Sequence, residues 1–252
     1  MAPGRIVSLC PSITESLVCL GAGPRLVGVT RWCVRPKEAL AGVEKIGGTK
    51  TPDLARIAAL RPDLVFANAE ENRREDVEAL RAAGLSVDVT LPRTVAQVPA
   101  AIRQWGSSLE EDAAAERLAG SIEETLAELS AAPAPRPFRY AYWIWKDPWM
   151  TLSDDTYVAD LLRLAGGVNA YGGATDRYPE TTPAEATVRE IEVHLFPDEP
   201  YPFAAARHEA LAAALFPEAR ARLFVPGDDW CWHGARSLEG LARVRELARR
   251  LA

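Results

Sequence analysis

Tryptophan is concentrated in the segments that follow predicted strands. Six of the seven tryptophans lie in or beside such segments: Trp32, Trp143, Trp145, Trp149, Trp230 and Trp232. Aromatic side chains are costly to expose, and a cluster of them in loops typically lines a pocket for a large, partly apolar ligand. For any one tryptophan the alternative is that it covers the end of a sheet. The pattern as a whole favours a binding site.

Three combinations of side chains would support catalysis or metal binding. Ser12 follows a strand but lacks the glycines of a nucleophile elbow, so we expect its hydroxyl to cap a helix. Cys10 or Cys33 with His233 would form a thiol–imidazole pair. Cys231 and His233, with Cys10 or Cys33, would offer ligands to a metal. No glycine motif for a dinucleotide or ATP occurs. We expect no enzymatic activity, no metal site and no resident cofactor.

The composition indicates a globular protein: of 252 residues, 48% are hydrophobic and 25% are charged. The 35 acidic residues outnumber the 29 basic ones, which argues against nucleic acid as a partner. The four cysteines lack C-x-x-C spacing, so we expect reduced thiols. No apolar run reaches the ~18 residues of a membrane helix, and the N-terminus lacks the apolar region of a signal peptide. The expected location is cytoplasmic, or periplasmic or at the cell surface if a signal has been removed.

Alternating strands and helices are predicted to position these side chains in the first ninety residues. Short apolar runs predict strands at 5–9, 25–29, 63–67 and 86–90. Helical patterns between them predict helices at 12–21, 52–60 and 73–83, the first opened by a capping box of Ser12 and Glu15. Strands separated by helices imply a parallel sheet that is covered on both faces.

A long helix follows, because residues 94–132 contain no strand candidate. Ser108 and Glu111 match a second capping box, and leucine and isoleucine recur at helical spacing after it. A helix of about 24 residues would span roughly 35 Å. The proline-rich stretch from Pro133 to Pro137 would end it.

The alternation resumes after the prolines. Strands are predicted at 138–145, 191–196 and 221–225, with helices at 157–165, 183–190, 203–215 and 238–251. The predicted fold is α/β, with two Rossmann-like lobes joined by one long rigid helix. The lobes are residues 1–107 and 133–252, and the linking helix is 108–132. Because ligands bind beyond the carboxyl ends of parallel strands, a ligand cleft between the lobes is expected.

Several stretches resemble a known family. Arg5-Ile-Val-Ser-Leu-Cys-Pro-Ser-Ile-Thr-Glu15, Leu26-Val-Gly-Val-Thr30, Lys45-Ile-Gly-Gly48 and the run from Pro52 to Val65 are similar to the helical-backbone (class III) substrate-binding proteins of ABC importers. Within that superfamily the chain is most similar to the branch that binds cobalamin. The segments 150–157 and 164–169 fit the same resemblance.

The resemblance implies a monomeric, non-catalytic protein that carries cobalamin or a related corrinoid as a transported ligand. It places three ligand contacts on the first lobe, Pro11, Trp32 and Asn68, and three on the second, Trp145, Trp149 and Trp230. Their role would be flat apolar contact with the corrin ring or its nucleotide loop. Trp32 and Trp230 are the principal candidates. The full set is Pro11, Trp32, Cys33, Asn68, Trp145, Trp149, Trp230, Trp232 and His233.

The resemblance also implies a partner, the permease of an ABC importer, which the family contacts through one acidic residue on each lobe. Alignment places Arg74 and Trp232 at or near those positions, with Glu70, Glu71 and Glu75 close to the first. Two alternatives remain. One is another metal chelate, haem or a ferric siderophore. An anionic siderophore would need several arginines in the cleft, and only Arg31 and Arg177 are candidates. The other is a cytoplasmic relative with an enzymatic role based on cysteine and histidine.

Overall fold

The structure, a computed structural model, describes residues 2–132 and 135–252, and the chain divides into two compact units. Unit 1 comprises Met1–Pro92, Ala96–Glu124 and Trp232–Ser237. Unit 2 comprises Arg93–Val95, Thr125–Cys231 and Leu238–Ala252. Pro133 and Ala134, where the sequence predicts the end of the linking helix, lie outside the described residues.

Unit 1 is built on a parallel sheet whose strands are short apolar runs. Its strands, in the order β3-β2-β1-β4-β5, are β1 (Ile6–Ser8), β2 (Leu26–Val29), β3 (Glu44–Lys45), β4 (Leu64–Asn68) and β5 (Val87–Thr90). Every pairing between neighbours in this sheet is parallel. The predicted strands are confirmed, and β3 is additional. Its two residues are too short a run to stand out as a strand.

The helices of unit 1 cover this sheet. They are α1 (Pro11–Cys19), α2 (Leu54–Ala59), α3 (Arg74–Ala82), α4 (Val98–Leu109) and the first part of α5 (Asp112–Ala131). One core cluster is aliphatic and joins the strands to α2 and α3; it includes Val7, Ile46, Ile57, Val65 and Leu80.

Both predicted capping boxes are wrong. The residue that precedes α1 is Cys10, which makes no side-chain cap, and Ser12 lies inside the helix. Ser108 lies in the last turn of α4, and its hydroxyl is 3.2 Å from a carboxylate oxygen of Asp88. The predicted helix 108–132 therefore begins later, because Glu110 adopts a left-handed conformation (φ 58°) that separates α4 from α5.

Unit 2 contains a second parallel sheet with the order β11-β10-β6-β8. Its strands are β6 (Phe138–Tyr142), β8 (Gly167–Asn169), β10 (Val193–Pro197) and β11 (Ala221–Val225). A small antiparallel ribbon pairs β7 (Trp149–Met150) with β9 (Glu180–Thr181). The helices are the rest of α5, α6 (Tyr157–Leu164), α7 (Pro183–Thr187), α8 (Ala205–Leu215), α9 (Gly227–Cys231) and α10 (Ser237–Leu251).

The core of unit 2 is aromatic around His194. The Trp143 indole N–H donates to Nδ1 of His194 over 3.1 Å, and the imidazole stacks on Phe216 with ring centroids 3.9 Å apart. Burial, and to a smaller extent the positive charge of Arg222, lowers the pKa of His194 to about 4. His194 is therefore a hydrogen-bonded core residue of β10.

The prediction of two α/β lobes with parallel sheets is confirmed. The residues that make up each unit differ from the predicted lobes, 1–107 and 133–252. Helix α5 contributes to both units, since the division falls after Glu124. Residues Trp232–Ser237 belong to unit 1, although the chain on either side belongs to unit 2. Among the described residues, no helix combines the length and apolarity that crossing a membrane requires.

Candidate functional site

Buried asparagines tie together the loops at the carboxyl edge of the unit 1 sheet. The Asn72 amide donates to the carbonyl oxygens of Leu9 and Thr49, each over 3.0 Å. Its Oδ1 accepts from the backbone N–H of Asn68 over 2.8 Å. One side chain therefore connects the segments that follow β1, β3 and β4. Since Asn72 is buried, these hydrogen bonds are shielded from competition by water.

The orientation of Asn68 determines the tautomer of His233. Oδ1 of Asn68 accepts from the backbone N–H groups of Glu70 and Glu71, over 2.9 and 3.2 Å. Its Nδ2 then faces Nε2 of His233 at 3.0 Å, so the amide donates and Nε2 accepts. A neutral imidazole that accepts at Nε2 carries its proton on Nδ1. His233 is therefore held as the Nδ1–H tautomer.

The surroundings of His233 keep it uncharged. Its side chain is buried, Ser12 Oγ lies 3.5 Å from Nε2, and the Trp105 ring centroid is 6.0 Å from that of the imidazole. Burial lowers the pKa of His233 to about 4. At neutral pH the ring is a hydrogen-bond acceptor and not a positive charge.

The segment that carries His233 is attached to α1 by two further contacts. The Ala235 backbone N–H donates to Ser16 Oγ over 2.9 Å. The Arg236 guanidinium forms two hydrogen bonds with the Glu15 carboxylate, at 2.8 and 2.5 Å, and both side chains are largely buried. Gly234 has φ +85°, and a Cβ there would lie 2.1 Å from Ser16 Oγ. These contacts explain why Trp232–Ser237 belongs to unit 1.

Trp32 lies on a turn whose neighbours are firmly held. The Cys33 thiol is fully buried and within 3.1 Å of the hydroxyls of Thr14 and Thr30. The Cys33 carbonyl accepts from the Lys45 ammonium over 2.8 Å. With Cys33 directed inward, Trp32 is left 58% exposed. The loop therefore exposes the Trp32 indole to solvent, while the adjacent Cys33 is held by hydrogen bonds.

Unit 2 presents a second exposed indole at the corresponding edge of its sheet. After β6 the chain turns back, and the backbone of Met150 exchanges hydrogen bonds with Ile144 and Trp145 over 3.0 and 3.1 Å. Trp145 is 41% exposed and packs edge-on against Tyr201 at 5.5 Å. Tyr201 in turn contacts Phe203, with centroids 4.5 Å apart. The segments that follow β6 and β10 therefore share an aromatic cluster of Trp145, Tyr201 and Phe203.

The other predicted contact residues are more enclosed. Trp149 is half-buried and packs on the core through Trp143 and Phe203. Trp230, one of the principal candidates, is only 2% exposed in α9. Trp232 is buried beneath the Arg236 guanidinium, which lies 5.6 Å from the ring. Pro11 is half-buried at the first position of α1.

Thiol chemistry is disfavoured at this site. Burial, assisted by the negative charge of Glu71, raises the pKa of Cys10 to about 12, and burial also raises the pKa of Cys33. A thiol is the unreactive form, so neither group is activated at neutral pH. Nε2 of His233 faces Asn68 and Ser12. None of the four cysteines forms a disulfide, and within 2–132 and 135–252 no cluster of histidine, cysteine and carboxylate side chains suits a metal.

Sequence reasoning missed several residues of these two edges. Asn72 was overlooked although it follows β4 by four positions, because an asparagine that bridges loops has no local signature. Tyr201 lies in the segment that follows β10, at the end of the sheet where ligands of parallel sheets bind. Tyr142 ends β6, and Asp198 and Glu199 follow β10. Their position at strand ends was the available signal.

Parallel sheets that each present an exposed indole at the carboxyl edge are typical of one class of protein, the ligand-binding proteins. The family described as periplasmic binding protein matches this chain over residues 6–190. The chain belongs to that family.

The similar proteins include some that are named as vitamin B12-binding and some that are named as haem-binding. The chain is 27% identical over 190 residues to a vitamin B12-binding protein of Vibrio parahaemolyticus, covering 75% of this chain and 69% of the relative. It superposes on the periplasmic vitamin B12 binding protein BtuF of Vibrio cholerae with a TM-score of 0.89 at 21% identity, covering 99% and 98% of the two chains. The apo haem-binding protein RhuT of Roseiflexus gives a TM-score of 0.82 at 22% identity, covering 98% of each chain. These two structural matches confirm the fold.

Proposed function

We propose that the chain reversibly binds cobalamin or a related corrinoid and presents it to an ABC-type importer. The observation that carries the proposal is the pair of exposed indoles, Trp32 and Trp145, at the carboxyl edges of two parallel sheets. A corrin is a broad, partly apolar ring, and flat aromatic faces match it. The vitamin B12-binding relatives support this ligand.

The size of the aromatic contribution follows from exposed area. A tryptophan side chain offers about 250 Å², and Trp32 is 58% exposed. Covering that area at about 25 cal/mol per Å² would contribute about 3.6 kcal/mol, roughly four hundredfold in Kd. Side-chain ordering offsets part of this gain, so Trp32→Ala is expected to weaken binding between about tenfold and a hundredfold.

Titration of the purified protein with cyanocobalamin, followed by visible spectra and calorimetry, tests the proposal. Haemin and a ferric siderophore serve as competing ligands. Val34→Ala is the matched control, because Val34 is on the same loop and 57% exposed but offers a much smaller surface. If the Trp32→Ala variant binds cyanocobalamin with unchanged affinity, the proposed contact between Trp32 and the ligand is refuted. If the protein binds haemin more tightly than every corrinoid, haem takes the place of a corrinoid as the proposed ligand.

An anionic chelate is less well matched by the charges present. Arg177, one of two arginines considered for an anion, is 3.2 Å from the Asp155 carboxylate. The other, Arg31, lies over the Trp32 ring at 5.8 Å. We therefore rank a ferric siderophore below a corrinoid.

The proposed partner is the importer permease, and the proposed location is periplasmic or at the cell surface. The family supports both. Glu75 is exposed in the first turn of α3 and provides an acidic group on unit 1, whereas Arg74 forms an ion pair with Glu78. Light scattering tests the expected monomer. Co-purification with the cognate permease, and its loss in Glu75→Gln, tests the docking.

A further inference from the structure

Three hydrogen-bond donors lie around Gly48 at the carboxyl edge of the unit 1 sheet. Arg31 and Trp32 come just after β2, and the segment that holds Gly48 and Thr51 comes just after β3, which pairs with β2. A Cβ placed on Gly48 would lie 3.4 Å from an Arg31 guanidinium nitrogen and 3.5 Å from Trp32 Nε1. It would also lie 3.1 Å from Thr51 Oγ1. We call the side chains of Arg31, Trp32 and Thr51 the donor triad.

Backbone hydrogen bonds hold the two loops that carry the donor triad. The Gly48 N–H donates to the Thr51 carbonyl over 3.1 Å, and the Thr51 N–H donates to the Gly48 carbonyl over 3.3 Å. The Arg31 N–H donates to the Gly47 carbonyl over 2.8 Å, which joins the loop after β2 to the loop after β3. Gly47 has φ +100°, and a Cβ there would lie 2.5 Å from the Thr51 carbonyl oxygen. The positions of the three donors are therefore set before any ligand binds.

The donor triad is available to a ligand. Within residues 2–132 and 135–252, the Arg31 guanidinium and the Trp32 indole N–H have no hydrogen-bond acceptor, and the Thr51 hydroxyl has no partner. The contact that Arg31 does make, over the Trp32 ring at 5.8 Å, leaves its N–H groups unused. All three side chains are exposed, so a group on a ligand can reach them.

An oxyanion complements these three groups. Arg31 supplies a positive charge and several N–H donors, while Trp32 and Thr51 add two neutral donors. An oxygen near the Cβ position of Gly48 would be within reach of all three. Hydrogen bonds to an ionised oxygen are stronger than neutral ones, and the planar guanidinium matches the geometry of phosphate. The single charge of Arg31 balances a phosphodiester, which carries one negative charge.

We propose that the donor triad binds the phosphate of a corrinoid, the phosphodiester in the nucleotide loop of cobalamin. This inference rests on the proposed function and names the group of the ligand that unit 1 recognises. Trp32 would then contact the ligand twice, since its ring face covers the corrin and its N–H meets the phosphate. Cobinamide, which lacks the phosphate, would bind more weakly than a corrinoid that carries it.

The test compares two ligands that differ in one phosphate, dicyanocobinamide and dicyanocobinamide phosphate. Calorimetry at pH 7 is expected to give the wild-type protein at least a tenfold preference for the phosphate form. Arg31→Gln removes the positive charge and is expected to reduce that preference by about tenfold. Gly48→Ala keeps all three donors but places a methyl group where the oxygen would lie, so we expect a similar reduction. The φ of Gly48 lies outside the left-handed region, so alanine can adopt its backbone conformation.

Arg61→Gln is the matched control, because Arg61 is an exposed arginine between α2 and β4, where the strand begins and not where it ends. It should leave the preference unchanged. If Gly48→Ala fails to fold, Thr51→Val, which removes one exposed hydroxyl, takes its place and is expected to lower the preference several-fold.

Equal affinity of the wild type for the two ligands would overturn the inference while leaving corrinoid binding intact. The same holds if Arg31→Gln and Gly48→Ala weaken both ligands equally, because the ratio would then reflect a structural role of the two residues. A lower affinity for haemin in these variants, with an unaltered corrinoid ratio, would assign the donor triad to a propionate and also overturn it. Binding of neither corrinoid would instead refute the proposed function.

Discussion

Acidification is expected to destabilise the protein through its two buried histidines, His233 and His194. Each has an ordinary pKa of 6.5 that burial lowers to about 4 in the folded protein. The unfolded chain therefore binds protons below pH 6.5 that the folded chain takes up only near pH 4. Stability is present in full above pH 6.5 and is lost as the pH falls through this window.

The magnitude follows from the two pKa values. A difference of about 2.5 corresponds to about 3 kcal/mol per histidine when the transition is complete. At pH 5 the unfolded histidine is almost fully protonated and the folded one about a tenth protonated, which gives about 2 kcal/mol for each. The two together are expected to lower the free energy of unfolding by about 4 kcal/mol between pH 7 and pH 5.

Urea unfolding at pH 7, 6 and 5, followed by tryptophan fluorescence, measures this loss. His233→Gln retains an acceptor for Asn68 but cannot be protonated, so about half of the pH dependence should disappear. His194→Gln should remove a similar share of the pH dependence, even if it lowers the free energy of unfolding at pH 7. In the double variant the free energy of unfolding should hardly change between pH 7 and pH 5. His208→Gln, half-buried on α8, controls for the substitution. If the free energy of unfolding of both single variants falls with pH as steeply as that of the wild type, the assignment of this loss to the two histidines is refuted.

Three substitutions test the attachment of Trp232–Ser237 and the asparagine network, each by thermal or urea unfolding. Gly234→Ala should cost at least about 2 kcal/mol, because φ is +85° and the new Cβ would meet Ser16 Oγ, whereas Gly120→Ala, with nothing within 4 Å, should be neutral or stabilising by up to about 1 kcal/mol. Equal costs would contradict the contact. Asn68→Ala should cost about 3 kcal/mol through three lost hydrogen bonds, and a loss below 1 kcal/mol would contradict the network. Arg236→Lys should cost about 1–2 kcal/mol, because lysine cannot reproduce two parallel hydrogen bonds to a largely buried carboxylate; no loss would contradict that pairing.

The sequence predicted the parallel sheets well because their strands are continuous apolar runs between helical patterns. The apolar segment 63–67 and β4 nearly coincide, and 221–225 and β11 coincide. Two- and three-residue strands such as β3 and β8 escaped prediction because they are too short to display a period. The capping boxes failed because the S-x-x-E pattern also arises inside helices, as it does at Ser12 in α1.

The candidate site was predictable in part. Position after a strand identified Trp32 and Trp145, and both are exposed. The same rule selected Trp230, which is buried, because α9 turns it inward and spacing alone does not reveal that helix. The return of Trp232–Ser237 to unit 1 depends on partners more than two hundred positions away, such as Ser16 and Glu15. No local pattern encodes such a contact.

We propose that this chain binds a corrinoid without transforming it. Equilibrium dialysis against cyanocobalamin at neutral pH tests it most directly, with the recovered ligand identified by its visible spectrum. We expect one cobalamin bound per chain with Kd below about 10 μM, and we expect the ligand to be recovered unchanged. Absence of saturable binding at tens of micromolar cobalamin, or recovery of a chemically altered corrinoid, would contradict it.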